Sequence, residues 1–128
     1  MSEKWNRALR MKRFEAAQRA RKVASLENMI RDLDASAAAL SQQIAKEEER
    51  TKVKDPRRAD YSMAAMAAAA RKSKLIISLV DLRSKLEVAI REHDAVAGEL
   101  RDLELAQSLP SESANLAQAK HGKAPGHM

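Results

Sequence analysis

The residue types that most often carry out chemistry in proteins are sparse in this chain. It contains no cysteine, and none of its three histidines stands at a metal-binding spacing such as HExxH. Gly122-Lys123 lacks the earlier glycine and the following Ser or Thr of a phosphate-binding loop. The acidic run Glu47 to Glu49 is interpreted as a solvated face, because successive residues of a helix point apart. We therefore assign no catalytic, cofactor-binding or metal-binding residue and expect a protein that is not an enzyme.

An aromatic side chain among arginines is the first feature that indicates a partner instead. Met11 and Phe14 are bordered at helical spacing by Arg7, Arg10 and Arg21. Aromatic, methionine and arginine side chains together are typical of protein interfaces, so these five residues are predicted to bind a partner. The alternative is that a local shift of the helix's apolar stripe buries Phe14.

A second candidate surface lies later in the chain. Ile76, Ile77 and Val80 fall outside the apolar stripe of their segment and are predicted to form a second docking patch. The alternative is that they are the isolated exposed apolar residues that most proteins carry.

The composition indicates which elements must hold these residues. Of the 128 residues, 45% are hydrophobic but only 2% are aromatic, and 33% are charged. Strong helix formers dominate, while Gly and Pro number three each. The fold class is therefore predicted to be all-α, and too few aromatic rings are present to fill a rounded globule.

Apolar residues recur at alternating spacings of four and three in two runs, which is the pattern of a coiled-coil seam. The first run is Trp5, Leu9, Lys12, Ala16, Arg19, Val23, Leu26, Ile30, Leu33, Ala37, Leu40, Ile44 and Glu47. The second is Tyr61, Ala65, Ala68, Lys72, Leu75, Leu79, Leu82, Leu86, Ala89, His93, Val96, Leu100 and Leu103. Neither run can bury its stripe alone.

Folding the chain back on itself pairs the two runs throughout if facing residue numbers add to 112, as in Leu26 with Leu86. The pivot is then Pro56, whose ring cannot continue a helix. Asp55-Pro56 also suits the N-cap and first position of a new helix. This favours a long antiparallel two-helix coiled-coil hairpin over the alternative of one continuous helix that dimerises in parallel.

The predicted boundaries follow from this register. Residues 1–107 form the hairpin, with helix one at about 4–51, a turn at about 52–60 and helix two at about 61–107, and residues 108–128 form a flexible tail.

The seam is weaker at the open end of the hairpin, where it contains Lys12, Arg19 and His93. This end either splays to engage a partner or holds a polar layer that fixes the register.

Charged residues support the register only in part. Glu27 is expected near Arg83 and Lys22 near Glu92, but Glu15 is expected near Glu99. The basic excess of residues 1 to 25 faces the acidic excess of residues 75 to 107, which weakens a nucleic-acid interpretation.

The start of the chain and the lengths of its apolar runs bear on location. The first residues are charged from Glu3 onward and contain no uninterrupted apolar stretch, so a secretory signal is not predicted. No segment approaches the roughly 20 apolar residues that span a bilayer. With no cysteine in the chain, the cytosol is the expected compartment.

Three segments resemble the FliJ family, the small coiled-coil proteins of the bacterial flagellar type III export apparatus, and most of all its alphaproteobacterial forms. They are "RALRMKRFEAAQRARKVASLENMIRDL", "IAKEEERTKVKDP" and the Ala-rich "YSMAAMAAAARKSKL". The similarity covers about the first 107 residues and lies in pattern, charge and length.

The resemblance implies an antiparallel coiled-coil stalk that takes no cofactor and no small-molecule substrate. It implies three partners: the flagellar export ATPase ring, the export-gate membrane protein and the flagellar substrate chaperones. It also implies a cytoplasmic protein that associates peripherally with the inner membrane at the flagellar base.

Two other classes of function stay open from the residues alone. One is a basic coiled coil that binds nucleic acid, although the chain shows no aromatic-interleaved basic strip. The other is a generic assembly scaffold that forms oligomers through Ile76, Ile77 and Val80.

Overall fold

A computed structural model of the protein describes residues 2–108, and that part of the chain is all-helical. Helix α1 runs Glu3–Thr51 and helix α2 runs Met63–Ser108, and the two pack against each other. The predicted all-α two-helix hairpin is thus confirmed, and one continuous helix is wrong because the chain leaves the helix after Thr51. The observed bounds differ from the predicted 4–51 and 61–107 by at most two residues. The predicted tail, apart from Ser108, lies outside the described residues.

The described chain divides into two compact units. The first holds residues 2–20 and 91–108, and the second holds residues 21–90. In the second unit the two helices are joined by a turn and run antiparallel. In the first unit, an early residue of α1 pairs with a late residue of α2, so these segments are antiparallel as well.

The heptad pattern predicts correctly which side chains are covered. Every predicted seam position of both runs is buried or half-buried. In the first unit Leu9 and Val96 are buried, and in the second Leu26, Leu79 and Ala89 are buried. The charged seam residue Lys12 is half-buried like its apolar neighbours, so the seam continues through the polar positions without a slip.

The start of α1 is fixed by a serine N-cap. The Ser2 hydroxyl accepts a hydrogen bond from the Trp5 backbone N–H at 3.0 Å, and the Ser2 carbonyl accepts one from the Asn6 N–H at 3.1 Å. Glu3 in the first turn complements the positive end of the helix dipole.

Helix α1 is terminated by the backbone conformation of Lys52 and not by Pro56. Lys52 has a φ of 60°, the left-handed conformation that closes many helices and that glycine usually occupies. The Thr51 hydroxyl hydrogen-bonds the Glu47 carbonyl at 3.0 Å and accepts the Val53 N–H at 3.3 Å. The helix is therefore already closed several residues before the proline.

Pro56 lies in a β-turn within the connection, which corrects the role predicted for it. The Arg58 N–H donates to the Asp55 carbonyl at 3.1 Å, which places the proline at the second turn position, where its fixed φ is favourable. The Asp55 carboxylate accepts the Arg57 N–H at 3.0 Å. This backbone hydrogen bond, followed by the one from the Arg57 side chain, lowers the pKa of Asp55.

Ser62, and not Asp55, is the N-cap of α2. Its hydroxyl accepts the Ala65 N–H at 3.1 Å, and its carbonyl accepts the Met66 N–H at 3.0 Å. Asp55-Pro56 as the N-cap and first position of α2 is therefore wrong. Sequence spacing could not choose between the two caps because Asp, Asn, Ser and Thr are all good N-cap residues.

Ion pairs beside the seam show the register inside the second unit. Arg83 contacts Asp34 at 3.0 Å, where Glu27 was expected. The residue numbers of Arg83 and Asp34 add to 117, five more than the seam value of 112. The sum is larger because Asp34 and Arg83 each come one position after a seam residue, Leu33 and Leu82, and lie at the edge of the seam.

Candidate functional site

The outer face of α1 carries the predicted aromatic and methionine. Phe14 is 62% exposed and Met11 is 66% exposed. Because the adjacent seam residue Lys12 stays half-buried, the alternative of a local seam shift that buries Phe14 is wrong. Both side chains are available at the surface of the first unit.

Around these two side chains the surface forms a shallow groove. Arg10, Met11 and Phe14 line it together with Ala8, Lys12, Glu15 and Gln18. Arg7 is exposed one heptad before Phe14 on the same helix face. We call Arg7, Arg10, Met11 and Phe14 the α1 patch. Arg21, the fifth residue predicted for this surface, is exposed and falls in the second unit.

Lys12 forms ion pairs with both Glu15 and Glu99, the two carboxylates that were expected to lie near each other. Its ammonium lies 3.1 Å from Glu15 Oε1 and 2.8 Å from Glu99 Oε1, so it is shared by both carboxylates. These hydrogen bonds, the one that Lys12 donates to Glu99 first, raise the pKa of Lys12. A charged residue in the seam thus pairs with a carboxylate on each helix.

Two further cations of α1 are paired with α2 in the first unit. Arg19 donates to Glu92 at 2.9 Å, where Lys22 was expected, and Arg13 donates to Glu104 at 3.3 Å. With Lys12 and Arg19 both paired across the helices, the alternative of a polar layer describes this end of the seam better than splayed helices do.

The arginines of the α1 patch differ from these paired cations. Within residues 2–108, no carboxylate lies in ion-pair distance of Arg7 or Arg10, and the same holds for Arg21. Two groups of α1 cations in the first unit therefore differ in their surroundings. Lys12, Arg13 and Arg19 hold the helices together, whereas Arg7 and Arg10 present unpaired guanidinium groups beside exposed apolar side chains.

The second predicted surface is also exposed. Ile77 is 71% exposed and Val80 is 61% exposed, and Ile76 lies beside them on α2. We call these three residues the α2 patch. It belongs to the second unit, so the structure places it in a different unit from the α1 patch.

A polar cluster beside the turn was missed by the sequence analysis. Glu47 accepts hydrogen bonds from Ser62 Oγ at 2.7 Å and from both Nε and Nη2 of Arg50, at 3.1 and 2.8 Å. The Arg50 contact first, and then Ser62, lower the pKa of Glu47 to about 2. The interpretation of Glu47 as part of a solvated face is therefore wrong.

Glu48 has a similar role on the neighbouring side of α1. The Tyr61 hydroxyl donates to Glu48 Oε2 at 2.7 Å, and this hydrogen bond raises the pKa of Tyr61. Tyr61 itself packs with Val53 and Ala65 in a small buried cluster. The signal that could have found this cluster is the position of Glu47 and Tyr61, the seam residues nearest the break.

Two searches of the described residues bear on other kinds of site. Between residues 2 and 108 the structure brings together no group of three His, Asp or Glu side chains that could hold a metal ion. Over the same range, neither helix contains a stretch apolar enough and long enough to cross a membrane.

The chain was compared with protein-family models, with curated proteins and with solved structures, and none of the three comparisons found a match.

Proposed function

We propose that this protein is a non-enzymatic component of the flagellar type III protein export apparatus. In this role it is a stalk or adaptor that links the export ATPase ring to the export gate and escorts substrate chaperones during flagellum assembly. It works in the cytoplasm, peripherally associated with the inner membrane at the flagellar base. The proposal rests on the FliJ resemblance together with the surface of the hairpin.

The observation that carries the proposal is the α1 patch. Phe14 and Met11 are exposed side by side, and Arg7 and Arg10 have no ion-pair partner among the described residues. An exposed aromatic side chain gains free energy when a partner covers it, and a guanidinium group binds a carboxylate through two parallel hydrogen bonds. The patch therefore fits a protein partner that offers acidic side chains around an apolar pocket.

The pairing of three other cations of α1 supports a protein partner over nucleic acid. Lys12, Arg13 and Arg19 form ion pairs with carboxylates of α2, which compete with phosphates for these cations. Nucleic-acid affinity grows with the number of phosphates that are neutralised, and a cation already paired with a carboxylate contributes less to that number. The apolar centre of the α1 patch adds nothing to phosphate binding.

The test is capture of partners from the native cytosol, with the full chain as bait, at moderate salt and with nuclease added. The wild type is expected to recover a hexamer-forming ATPase and flagellar chaperones. The double variant Phe14→Ala with Arg10→Glu is expected to lose the ATPase, because it removes the apolar anchor and reverses a charge next to it. Circular dichroism is expected to be unchanged, since both side chains are exposed.

A matched control exists on the same helix. Met29 and Arg31 are an exposed apolar and basic pair of α1 in the second unit, and Met29→Ala with Arg31→Glu makes the same kinds of change there. This control is expected to keep the ATPase. Retention of the ATPase by the Phe14 and Arg10 variant would contradict the assignment of the α1 patch. Recovery of nucleic acid alone, lost on nuclease treatment, would favour the nucleic-acid alternative.

A further inference from the structure

A second heptad stripe runs along the outer face of α2, opposite the buried seam. It is formed by seven residues at alternating spacings of three and four, all of them exposed and none of them charged. They are Met63, Met66, Ala70, Ser73, Ile77, Val80 and Ser84. All seven belong to the second unit. We call this set the outer stripe.

Such a stripe has the pattern of a coiled-coil seam without a partner helix. Met63 is 80% exposed and Ile77 is 71% exposed, so the stripe is not covered within the described chain. From Met66 to Ser84 it extends for about 27 Å along the helix. Its length and spacing are those needed to receive another helix in a side-by-side packing.

We propose that the outer stripe is a self-association surface, on which the α2 helix of a second copy of this chain packs antiparallel. This inference does not rest on the proposed function. A two-fold symmetric contact requires a surface that is complementary to itself. The outer stripe meets that requirement in one register.

In that register, facing residue numbers of the two copies add to 150. Met66 then faces Ser84, Ala70 faces Val80 and Ser73 faces Ile77, and symmetry repeats each pair. Every layer thus combines one large and one small side chain. Large residues opposite small ones let two helices approach closely and interdigitate.

The residues beside the stripe are complementary in the same register. Inside the second unit, Asp34 and Arg83 each follow a seam residue, and their residue numbers add to five more than those of facing seam residues. The residues that flank the outer stripe on this side are therefore expected to face each other when their numbers add to 155. This sum pairs Lys74 of one copy with Asp81 of the other, and the two-fold symmetry gives the pair twice in each dimer. On the other edge of the stripe, facing residue numbers add to 145, which pairs Ala69 with Ile76. Opposite charges at flanking positions set partner choice and orientation in coiled coils.

The neighbouring registers, shifted by one heptad in each direction, are disfavoured by charge, although Asp81 also forms an ion pair with Lys85 of its own helix at 3.0 Å. With facing numbers that add to 157, Asp81 of one copy lies beside Asp81 of the other. With facing numbers that add to 143, Lys74 lies beside Lys74. Like charges at these positions are destabilising. The register in which both size and charge match is therefore the favoured one for self-association through the outer stripe.

The α2 patch is part of this surface, so a dimer covers it in the free protein. An export component that binds Ile76, Ile77 and Val80 then competes with the second copy. Dimer formation and partner capture through Phe14 use different surfaces, and each is measured separately.

The test measures the molecular mass of the full chain in solution by sedimentation equilibrium over about 5 to 500 μM. The wild type is expected to move from monomer to dimer in this range, because the stripe is short and contains two serines. Ile77→Lys is expected to stay monomeric throughout, with circular dichroism unchanged because the residue is exposed. A wild type that is monomeric at every concentration would overturn the proposal.

Charge reversal tests the register. Lys74→Asp alone and Asp81→Lys alone are each expected to weaken dimerisation at least about tenfold, because each places like charges together. The double variant is expected to dimerise within about threefold of the wild type, since it exchanges the two partners. A double variant as weak as the single ones would overturn the register, whereas restored dimerisation supports it.

Orientation is tested with cysteines, since the natural chain has none. A mixture of a Met66→Cys chain and a Ser84→Cys chain is expected to form a mixed disulfide, and neither variant alone is expected to cross-link. Cross-linking of the Ser84→Cys chain to itself would indicate parallel helices and would overturn the antiparallel arrangement.

Discussion

At the residue scale, Glu47 shows how a charged side chain is accommodated at a seam position of this hairpin. Glu47 is a seam residue, and its carboxylate is held by Arg50 from its own helix and by Ser62 from across the turn. Ser62 in turn caps α2 through the Ala65 N–H. One carboxylate therefore connects the last turn of α1 to the first turn of α2.

The pKa of Glu47 makes this connection dependent on pH. The carboxyl group titrates near 4.5 when free and at about 2 in the folded protein. Because the folded pKa is the lower one, the carboxylate contributes stability above pH 4.5, and this contribution is lost as the pH falls from 4.5 towards 2. Glu47→Gln is expected to melt below the wild type at pH 7, and the difference is expected to shrink over this window.

The measurement is thermal unfolding followed by circular dichroism at pH 7, 4.5, 3 and 2. Glu49→Gln is the matched control, because the neighbouring carboxylate is exposed and contacts only Lys52 among the described residues. The control is expected to differ little from the wild type at any of these values. A Glu47→Gln variant whose melting temperature stays parallel to the wild type down to pH 2 would contradict the role given to this carboxylate.

Sequence reasoning missed the turn cluster for a physical reason. A heptad pattern reports which side of a helix is covered, and it placed Glu47 and Tyr61 correctly on that side. It contains no information on the path of the connecting residues, which decides whether Ser62 reaches Glu47. The exposure of Phe14 was predictable because it depends only on the period of α1. No partner of Phe14 can be derived in this way, since the partner's residues are not in this chain.

At the element scale, the end of α1 depends on an unusual backbone conformation. Lys52 adopts a φ of 60°, where a side chain with a Cβ costs about 1 kcal/mol more than glycine does. The pattern of apolar residues indicated that the chain must turn somewhere between Thr51 and Asp60. It did not identify Lys52, because lysine carries no preference for this conformation.

Replacing this residue with glycine is therefore expected to stabilise the hairpin. Lys52→Gly relieves the left-handed strain at the cost of the exposed ion pair with Glu49, and a net gain of about 0.5–1 kcal/mol in the free energy of unfolding is expected. Urea unfolding at a concentration below that of dimer formation measures it.

The comparison variant is Lys54→Gly, two residues further on. Lys54 is exposed and has no positive φ, so glycine there gives no relief of strain and only increases the entropy of the unfolded chain. This variant is expected to be slightly less stable than the wild type. If both glycine variants shifted the midpoint in the same direction, strain at Lys52 would not be the explanation.

At the scale of the whole molecule, the two units differ in what fills the seam. The first unit places Lys12, Arg19 and His93 in seam positions, and the second fills most of its seam with Leu, Ile and Ala. Buried apolar area contributes more to stability than exposed ion pairs do. Local opening is therefore expected to need less free energy in the first unit.

Hydrogen exchange measured by mass spectrometry tests this difference. Peptides from 3–20 and 91–108 are expected to exchange at least about tenfold faster than peptides from 26–44 and 68–86. Lys12→Leu with Arg19→Leu is expected to slow exchange in the first unit, because it makes the seam apolar. Uniform protection along both helices, or no effect of the double variant, would contradict the assignment of stability to seam composition.

The turn described above also determines the order in which the helices can come together. Hydrogen bonds from α1 close loops of 13 and 15 residues with Tyr61 and Ser62 just before α2, and bonds between α1 and α2 close loops of 49 residues at Asp34 and of 73 to 91 residues in the first unit. The entropy lost on closing a loop grows with its length, so contact at Tyr61 and Ser62 loses the least. Once those contacts exist, each further pair of turns closes only a short additional loop. Pairing that spreads from the turn towards the termini is thus the folding route of lowest entropic cost.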